Sequence, residues 1–152
     1  MVSVLFVCHG NICRSPMAEF VMKRLVQDAG LEDKFEIASA ATSREELGNP
    51  VYPPARRKLA EHGIDCAEKT AQQMTKQDYQ HYDHIIVMDQ NNLRNLRRII
   101  GADTERKVSL LMAHTDRPGD VADPWYTGDF EATWQDVLEG CTALLQELTD
   151  RL

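Results

Sequence analysis

Short apolar runs alternate with amphipathic stretches along this chain. The runs are rich in β-branched and aromatic residues, and they predict buried strands at residues 2–7, 35–41, 84–88 and 108–112. The stretches between them carry apolar residues at helical spacing and predict helices at residues 16–29, 55–62, 76–82 and 90–100. A terminal helix follows, with an apolar face from Phe130 to Leu148. This alternation favours an α/β fold, a doubly wound, four-stranded parallel sheet with helices on both faces.

Length and composition set broad limits on the function. The chain has 152 residues and no linker or repeat, so we expect a single domain over residues 1–152. Its formal net charge of −7 disfavours a nucleic-acid-binding protein, which usually shows a basic patch. No apolar stretch approaches the ~20 residues of a membrane span, and residues 1–7 lack the features of a signal peptide. We therefore expect a cytoplasmic protein with no membrane insertion.

The cysteine pattern argues against a metal site. Four cysteines, at positions 8, 13, 66 and 141, are scattered through the chain. They form no CxxC pair and no Cys/His quartet at zinc spacing. We therefore expect no bound metal and no disulfide framework.

The segment CHGNICRS, residues 8–15, lies between the first predicted strand and the first predicted helix. In a parallel sheet, ligands bind beyond the carboxyl ends of the strands, where this loop is expected. Gly10 permits close backbone approach and Asn11 tolerates a left-handed backbone, so several N–H groups can turn inward as an anion nest. Ser15 and Pro16 are expected as the N-cap and first residue of the helix, whose positive end then faces the same point.

Arg14 and Cys8 give this predicted anion site its chemistry. The Arg14 guanidinium is a planar fork suited to two phosphate oxygens. The positive field around Cys8 favours its thiolate, a nucleophile aimed at phosphorus, and Ser15 is expected to donate a hydrogen bond to that sulfur. The alternative is a small buried cysteine after a strand, which leaves Arg14 and Ser15 unexplained. The predicted phosphate-binding residues are His9, Gly10, Asn11, Ile12, Cys13 and Arg14, with His9 acting mainly through its backbone.

Several motifs together resemble one family. They are VLFVCHGNICRSPMAE at residues 4–19, SAATS at 39–43, GNP at 48–50, HGI at 62–64, MD at 88–89 and DPWYTGDFE at 123–131. In this order they resemble the low-molecular-weight protein tyrosine phosphatases, over the whole chain. The resemblance implies hydrolysis of phosphotyrosine in proteins, and of small aryl phosphates, through a cysteinyl-phosphate intermediate and without a cofactor. We expect a monomer that acts on tyrosine-phosphorylated proteins.

The resemblance also implies an acid and a substrate rim. Asp123 is expected to protonate the leaving group and then to activate water, although Asp116, Asp120 and Asp129 are alternatives on the same loop. Trp125 and Tyr126 are expected to form a wall for the phenyl ring, the alternative being packing in the core. Many relatives have a further aromatic after the SAATS segment, where residues 44–46 of this chain read REE. Its absence is expected to shift the preferred peptides.

The remaining candidates are supporting residues. By resemblance, Ser39 is expected to hydrogen-bond Asn11, and Asp89 to support the loop. Cys13 is expected to form a reversible disulfide with Cys8 under peroxide, the alternative being a small packing residue. A set of basic residues is expected to form a solvated helix face: Arg94, Arg97, Arg98, Arg106 and Lys107.

Related activities remain as alternatives. A protein-arginine phosphatase of this fold carries threonine in place of Ile12, which has no hydroxyl for a guanidinium. An arsenate reductase needs relay cysteines near residues 80–90, where this chain has none. A phosphoprotein-binding module would not need Cys8 and Asp123, and a sugar-transport phosphocarrier would not need Arg14.

Overall fold

The computed structural model describes residues 1–152. One all-parallel sheet has the strand order β2-β1-β3-β4. Its strands are β1 (Val2–Cys8), β2 (Phe35–Ala41), β3 (His84–Val87) and β4 (Val108–Leu110). The single-domain α/β class expected from the sequence is confirmed.

Helices cover both faces of the sheet, as predicted. They are α1 (Arg14–Asp28), α2 (Pro53–Glu61), α3 (Lys76–His81), α4 (Gln90–Ile100), α5 (Pro124–Thr127) and α6 (Phe130–Thr149). Side chains of β1 alternate between two cores, because successive residues of a strand point to opposite faces. Phe6 packs in the larger core with residues of α1 and α6, whereas Val7 packs in the smaller core with Tyr79 of α3 and Leu96 of α4.

The start of α1 differs from the prediction. The helix begins at Arg14, and Cys13 precedes it without a side-chain cap, so Ser15 is not the N-cap and Pro16 is the third helical residue. Proline is tolerated there because the first N–H groups of a helix lack intrahelical partners in any case. The Ser15 hydroxyl is instead engaged with Cys8.

Other bounds move by a few residues. Strand β4 ends at Leu110, since Leu111–His114 forms a 3₁₀ turn, and a second such turn, Glu32–Lys34, precedes β2. The predicted loop over residues 114–128 contains the four-residue helix α5, whose N-cap is Asp123. The predicted Thr75 cap of α3 is confirmed as a capping box. None of the helices is both long and apolar enough to cross a bilayer.

The central strands bring the functional segments together. Strands β1 and β3 pair in parallel with Val7 opposite Val87, so their carboxyl ends lie side by side. The loop after β1 and Asp89 after β3 therefore meet at one edge of the sheet. The backbone of the β2 end closes the third side, because Thr42 N–H donates to the Cys8 carbonyl at 2.9 Å.

Candidate active site

The loop from Cys8 to Ser15 forms the base of a cleft. The Cys8 Sγ lies 3.0 Å from the Ser15 Oγ, and both residues are buried. None of the backbone N–H groups of residues 9–13 has a hydrogen-bond partner within the protein. Successive backbone N–H groups without a protein partner can donate to an anion, so such a set is suited to an oxyanion. The structure thus brings together the loop residues predicted from the sequence.

Asn11 holds this loop in shape. Its φ of 58° is left-handed, as predicted. Its side-chain amide donates to the Ser15 Oγ at 2.7 Å and to the Ser39 Oγ at 2.9 Å, and its Oδ1 accepts from the Gln72 N–H at 3.2 Å. Since the Ser15 oxygen accepts from Asn11, its own hydrogen is free to donate to the Cys8 sulfur. The hydrogen bond between Ser39 and Asn11 expected by resemblance is present.

A buried carboxylate extends this network. The Ser39 hydroxyl donates to the Glu19 Oε1 at 2.5 Å, and the Glu19 carboxylate also pairs with Lys23 at 2.6 Å and Lys69 at 3.4 Å. Lys69 additionally donates to the Ser39 carbonyl at 2.9 Å. Sequence reasoning missed Glu19 and Lys69. A signal was available for Glu19, which is a charged residue between apolar neighbours on the buried side of α1.

Arg14 lies under the loop with its side chain only 2% exposed. It donates to the Asp89 Oδ2 at 2.6 Å, to the Val121 carbonyl at 2.9 Å and to the Asp123 Oδ2 at 3.4 Å. Burial alone would lower the pKa of Arg14, but the Cys8 charge and the two carboxylates outweigh it and raise the pKa. The guanidinium therefore stays charged and fixed beside Cys8.

Asp89 joins Arg14 to the start of α4. Its Oδ1 caps the helix by accepting from the Asn92 N–H at 2.7 Å, while its Oδ2 holds Arg14. The buried Asn92 accepts in turn from the Met88 and Asp89 N–H groups. Asp89 thus lies where a supporting residue was expected, and Asn92 is a further supporting residue that the sequence reasoning missed.

Asp123 is the one candidate acid that reaches the cleft. It lines the cleft with a side chain 25% exposed, and its Oδ1 accepts from the Trp125 N–H at 3.1 Å. Of the alternatives, Asp120 accepts from the Gln90 N–H and Asp129 caps α6. None of the three alternatives, Asp116 included, lines the cleft.

The cleft has a volume of about 380 Å³. Its lining residues are Cys8, His9, Gly10, Ile12, Cys13, Arg14, Glu45, Glu46, Asp123, Trp125 and Tyr126. Trp125 and Tyr126 are 53% and 85% exposed, which excludes core packing for both. Trp125 also packs on Tyr52, with ring centroids 4.9 Å apart. Tyr52, another aromatic beside the cleft, was missed because it lies far from the motif in sequence.

Two further features of the cleft concern Cys13 and His9. The Cys13 thiol is buried, and burial together with the Cys8 and Asp123 charges raises its pKa above the ordinary range. The half-exposed His9 side chain hydrogen-bonds the Glu45 carboxylate at 2.9 Å. No three His, Cys, Asp or Glu side chains are grouped to hold a metal ion.

The sequence of this chain matches a known protein family. The family model described as low molecular weight phosphotyrosine protein phosphatase matches residues 3–152. The chain belongs to this family. It is 42% identical to the phosphatase of that name from Gallus gallus, over 95% of this chain and 94% of that protein. It is 39% identical to the low molecular weight protein-tyrosine-phosphatase YfkJ of Bacillus subtilis, over 97% and 96%.

The fold agrees with this assignment. The crystal structure of YfkJ superimposes with a TM-score of 0.96 at 38% identity, covering 99% of this chain and 96% of that one. As a low-molecular-weight phosphatase, the chain is a phosphoric monoester hydrolase.

The basic residues on and after α4 lie outside the cleft: the four arginines are exposed, and Lys107 donates to the Tyr79 carbonyl at 2.6 Å.

The Asn11 geometry generates a first prediction. Asn11→Gly and Asn11→Ala both lose the three side-chain hydrogen bonds, and both must keep the positive φ, which strains alanine but not glycine. We expect Asn11→Ala to be less stable than Asn11→Gly by about 1 kcal/mol, measured by urea unfolding. Both variants should turn over aryl phosphate more slowly than the exposed control Asn91→Ala. Equal stabilities for the two variants would contradict the left-handed backbone.

Proposed function

We propose that this protein hydrolyses phosphotyrosine in proteins, and small aryl phosphates, with Cys8 as nucleophile. The observation that carries the proposal is the Cys8 sulfur, hydrogen-bonded to Ser15 at the base of a loop whose amides are unpaired. The relatives' names, phosphotyrosine protein phosphatase for one and protein-tyrosine-phosphatase for the other, support the substrate class.

In the first step, the Cys8 thiolate attacks phosphorus as the bond to the tyrosine oxygen breaks. The loop amides, from His9 to Cys13, and the Arg14 guanidinium stabilise the negative charge on the three equatorial oxygens. Asp123 gives its proton to the departing phenolate, because a phenolate is a poor leaving group without one. The products are a cysteinyl phosphate and a free tyrosine hydroxyl.

In the second step, water attacks the cysteinyl phosphate. Asp123, now a carboxylate, takes a proton from the water, and the Cys8 sulfur leaves as a thiolate. The Ser15 hydroxyl donates to that sulfur and stabilises its charge as it departs. Asn11, Ser39 and Asp89 act as positioning residues. Every step uses side chains and backbone alone, so the mechanism requires no metal and no organic cofactor.

The physical setting of this activity is also part of the proposal. We propose that the protein works in the cytoplasm and as a monomer, the latter because the cleft is completed by residues of one chain. Trp125 and Tyr126 form the wall against the phenyl ring. Ile12 offers the substrate an apolar contact in place of a hydroxyl, which favours a phenyl group over a guanidinium.

A substrate panel tests the activity. Initial rates are measured on phosphotyrosine, phosphoserine and phosphoarginine peptides of one sequence. We expect turnover of phosphotyrosine alone, and its loss by at least about 1,000-fold in Cys8→Ser, because the hydroxyl is a far weaker nucleophile at neutral pH. Cys66→Ser is the matched control and should retain activity. Phosphoarginine as the better substrate, or full activity of Cys8→Ser, would contradict the proposal.

The role of Asp123 has a separate test. Asp123→Ala should slow aryl phosphates with high-pKa leaving groups by about 100-fold or more, and those with low-pKa leaving groups much less, because only the former need the proton. A plot of log kcat/KM against leaving-group pKa therefore becomes steeper. Asp116→Ala, on the same loop but outside the cleft, is the control. An equal loss for all leaving groups would argue against an acid.

Cys13 is proposed as the resolving cysteine after oxidation. Peroxide oxidises the Cys8 thiolate to a sulfenic acid, and the Cys13 thiolate then attacks that sulfur, forming the disulfide and releasing water after proton uptake. Burial is the largest cause of the raised pKa of Cys13, and it remains after Cys8 becomes an uncharged sulfenic acid. The thiolate fraction of Cys13 therefore grows about tenfold per pH unit at neutral pH.

This shift predicts a pH dependence. After brief stoichiometric oxidation of Cys8, disulfide closure should accelerate about tenfold per unit from pH 7 to 9 without reaching a plateau, because the folded-state pKa lies above that range. Mass spectrometry of quenched samples gives the rate. Cys13→Ser should form no disulfide. With excess peroxide its unprotected Cys8 sulfenic acid should go on to sulfinic acid, so this variant should not recover with thiol, whereas the wild type should. A plateau near pH 8, or full recovery of Cys13→Ser after excess peroxide, would contradict the assignment.

A further inference from the structure

The mouth of the cleft carries an excess of carboxylates. Glu45, Glu46 and Asp123 all line it, whereas no lysine does. Its single arginine, Arg14, lies buried at the base and pairs with Asp89 and Asp123. A bound phosphate neutralises the positive potential that remains at Arg14 and at the N–H groups of the loop. The outer part of the cleft is therefore negative where the rest of a peptide substrate must lie.

Glu45 and Glu46 are anchored against the first half of the phosphate-binding loop. The Glu45 Oε2 lies within hydrogen-bond distance of the His9 Nε2, at 2.9 Å. The Glu45 side chain nevertheless remains 69% exposed. The Glu46 Oε2 accepts from the Asn49 side chain at 2.6 Å, and its Cγ lies 3.4 Å from where a Cβ on Gly10 would be. Both carboxylates are thus held beside the site rather than free in solvent.

The second half of the loop borders an aromatic surface instead. The Ile12 carbonyl accepts from the Tyr52 N–H at 2.8 Å, and the Tyr52 ring packs on Trp125. Tyr126 is next in sequence and highly exposed. The rim therefore has an acidic part beside His9 and Gly10, and an aromatic part beside Ile12.

We propose that Glu45 and Glu46 select phosphotyrosine peptides that carry lysine or arginine next to the phosphotyrosine. A phosphate dianion entering this cleft brings further negative charge past two carboxylates. A flanking cation offsets that repulsion and pairs with the exposed Glu45, whereas a flanking carboxylate adds to it. This selection rests on the proposed phosphotyrosine phosphatase activity and specifies its substrate class.

Exposed ion pairs set the size of the expected effect. Each contributes roughly 1.5- to 5-fold in affinity at moderate ionic strength, so two carboxylates should give about tenfold discrimination. The effect should appear mainly in KM, because the flanking residues bind alike in the ground and transition states. It should weaken as salt screens the charges.

The test compares two phosphotyrosine peptides that differ only in their flanking residues, lysine in one and glutamate in the other. The quantity measured is the ratio of their kcat/KM values at pH 7.5 and low ionic strength, within each variant. This ratio cancels any change in the chemical step. We expect about 10 for the wild type, a value near 2 for Glu45→Gln/Glu46→Gln, and inversion below 1 for Glu45→Lys/Glu46→Lys.

Glu32→Gln/Asp33→Asn is the matched control for net charge, because it also removes two negative charges. Both residues are exposed in the turn before β2, at the opposite end of the sheet from the cleft. The ratio for this control should equal that of the wild type, and 0.5 M salt should reduce the wild-type ratio. A wild-type ratio near 1 with both peptides hydrolysed would overturn the selection while leaving the phosphatase activity intact. Failure to hydrolyse either peptide would overturn both.

Discussion

The site depends on one constraint, a loop that presents several backbone N–H groups without partners in the protein. Such groups are costly when buried, so the fold must hold the loop open by other contacts. Asn11 supplies them, through a left-handed backbone and hydrogen bonds to Ser15, Ser39 and the Gln72 N–H. The same bonds orient the Ser15 hydroxyl toward the Cys8 sulfur, so the geometry that binds the anion also prepares the nucleophile.

Charge is balanced around this loop in two layers. Beneath it, Asp89 and Asp123 pair with the buried Arg14. Asp89 follows β3 and Asp123 precedes α5, so these ion pairs join both segments to the cleft. Behind it, the buried Glu19 receives the Ser39 hydroxyl and is compensated by Lys23 and Lys69. Buried charges require such pairing, and pairing fixes the positions of the groups involved. An acidic protein can therefore build a local anion receptor.

The sequence predicted what is local and left out what depends on tertiary contacts. The alternation of apolar runs and helical periodicity predicted the parallel sheet, and the loop motif singled out Cys8 and Arg14, which both line the cleft. The predicted start of α1 was wrong because the Ser15 hydroxyl forms hydrogen bonds with Cys8 and Asn11 instead of capping the helix. Glu19 and Lys69 were missed because Ser39, which joins both to the site, lies 20 residues from Glu19 and 30 from Lys69. Helix α5 was missed because four residues give no periodic signal.

The most direct test of the account is trapping of the covalent intermediate. Asp123→Ala is mixed with an aryl phosphate whose leaving group needs no proton, so that Cys8 is phosphorylated but water attack is slow. The reaction is quenched in denaturant and the peptides are analysed by mass spectrometry. We expect a phosphoryl group on Cys8 and on no other cysteine. Steady turnover with no phosphorylated Cys8 would contradict it.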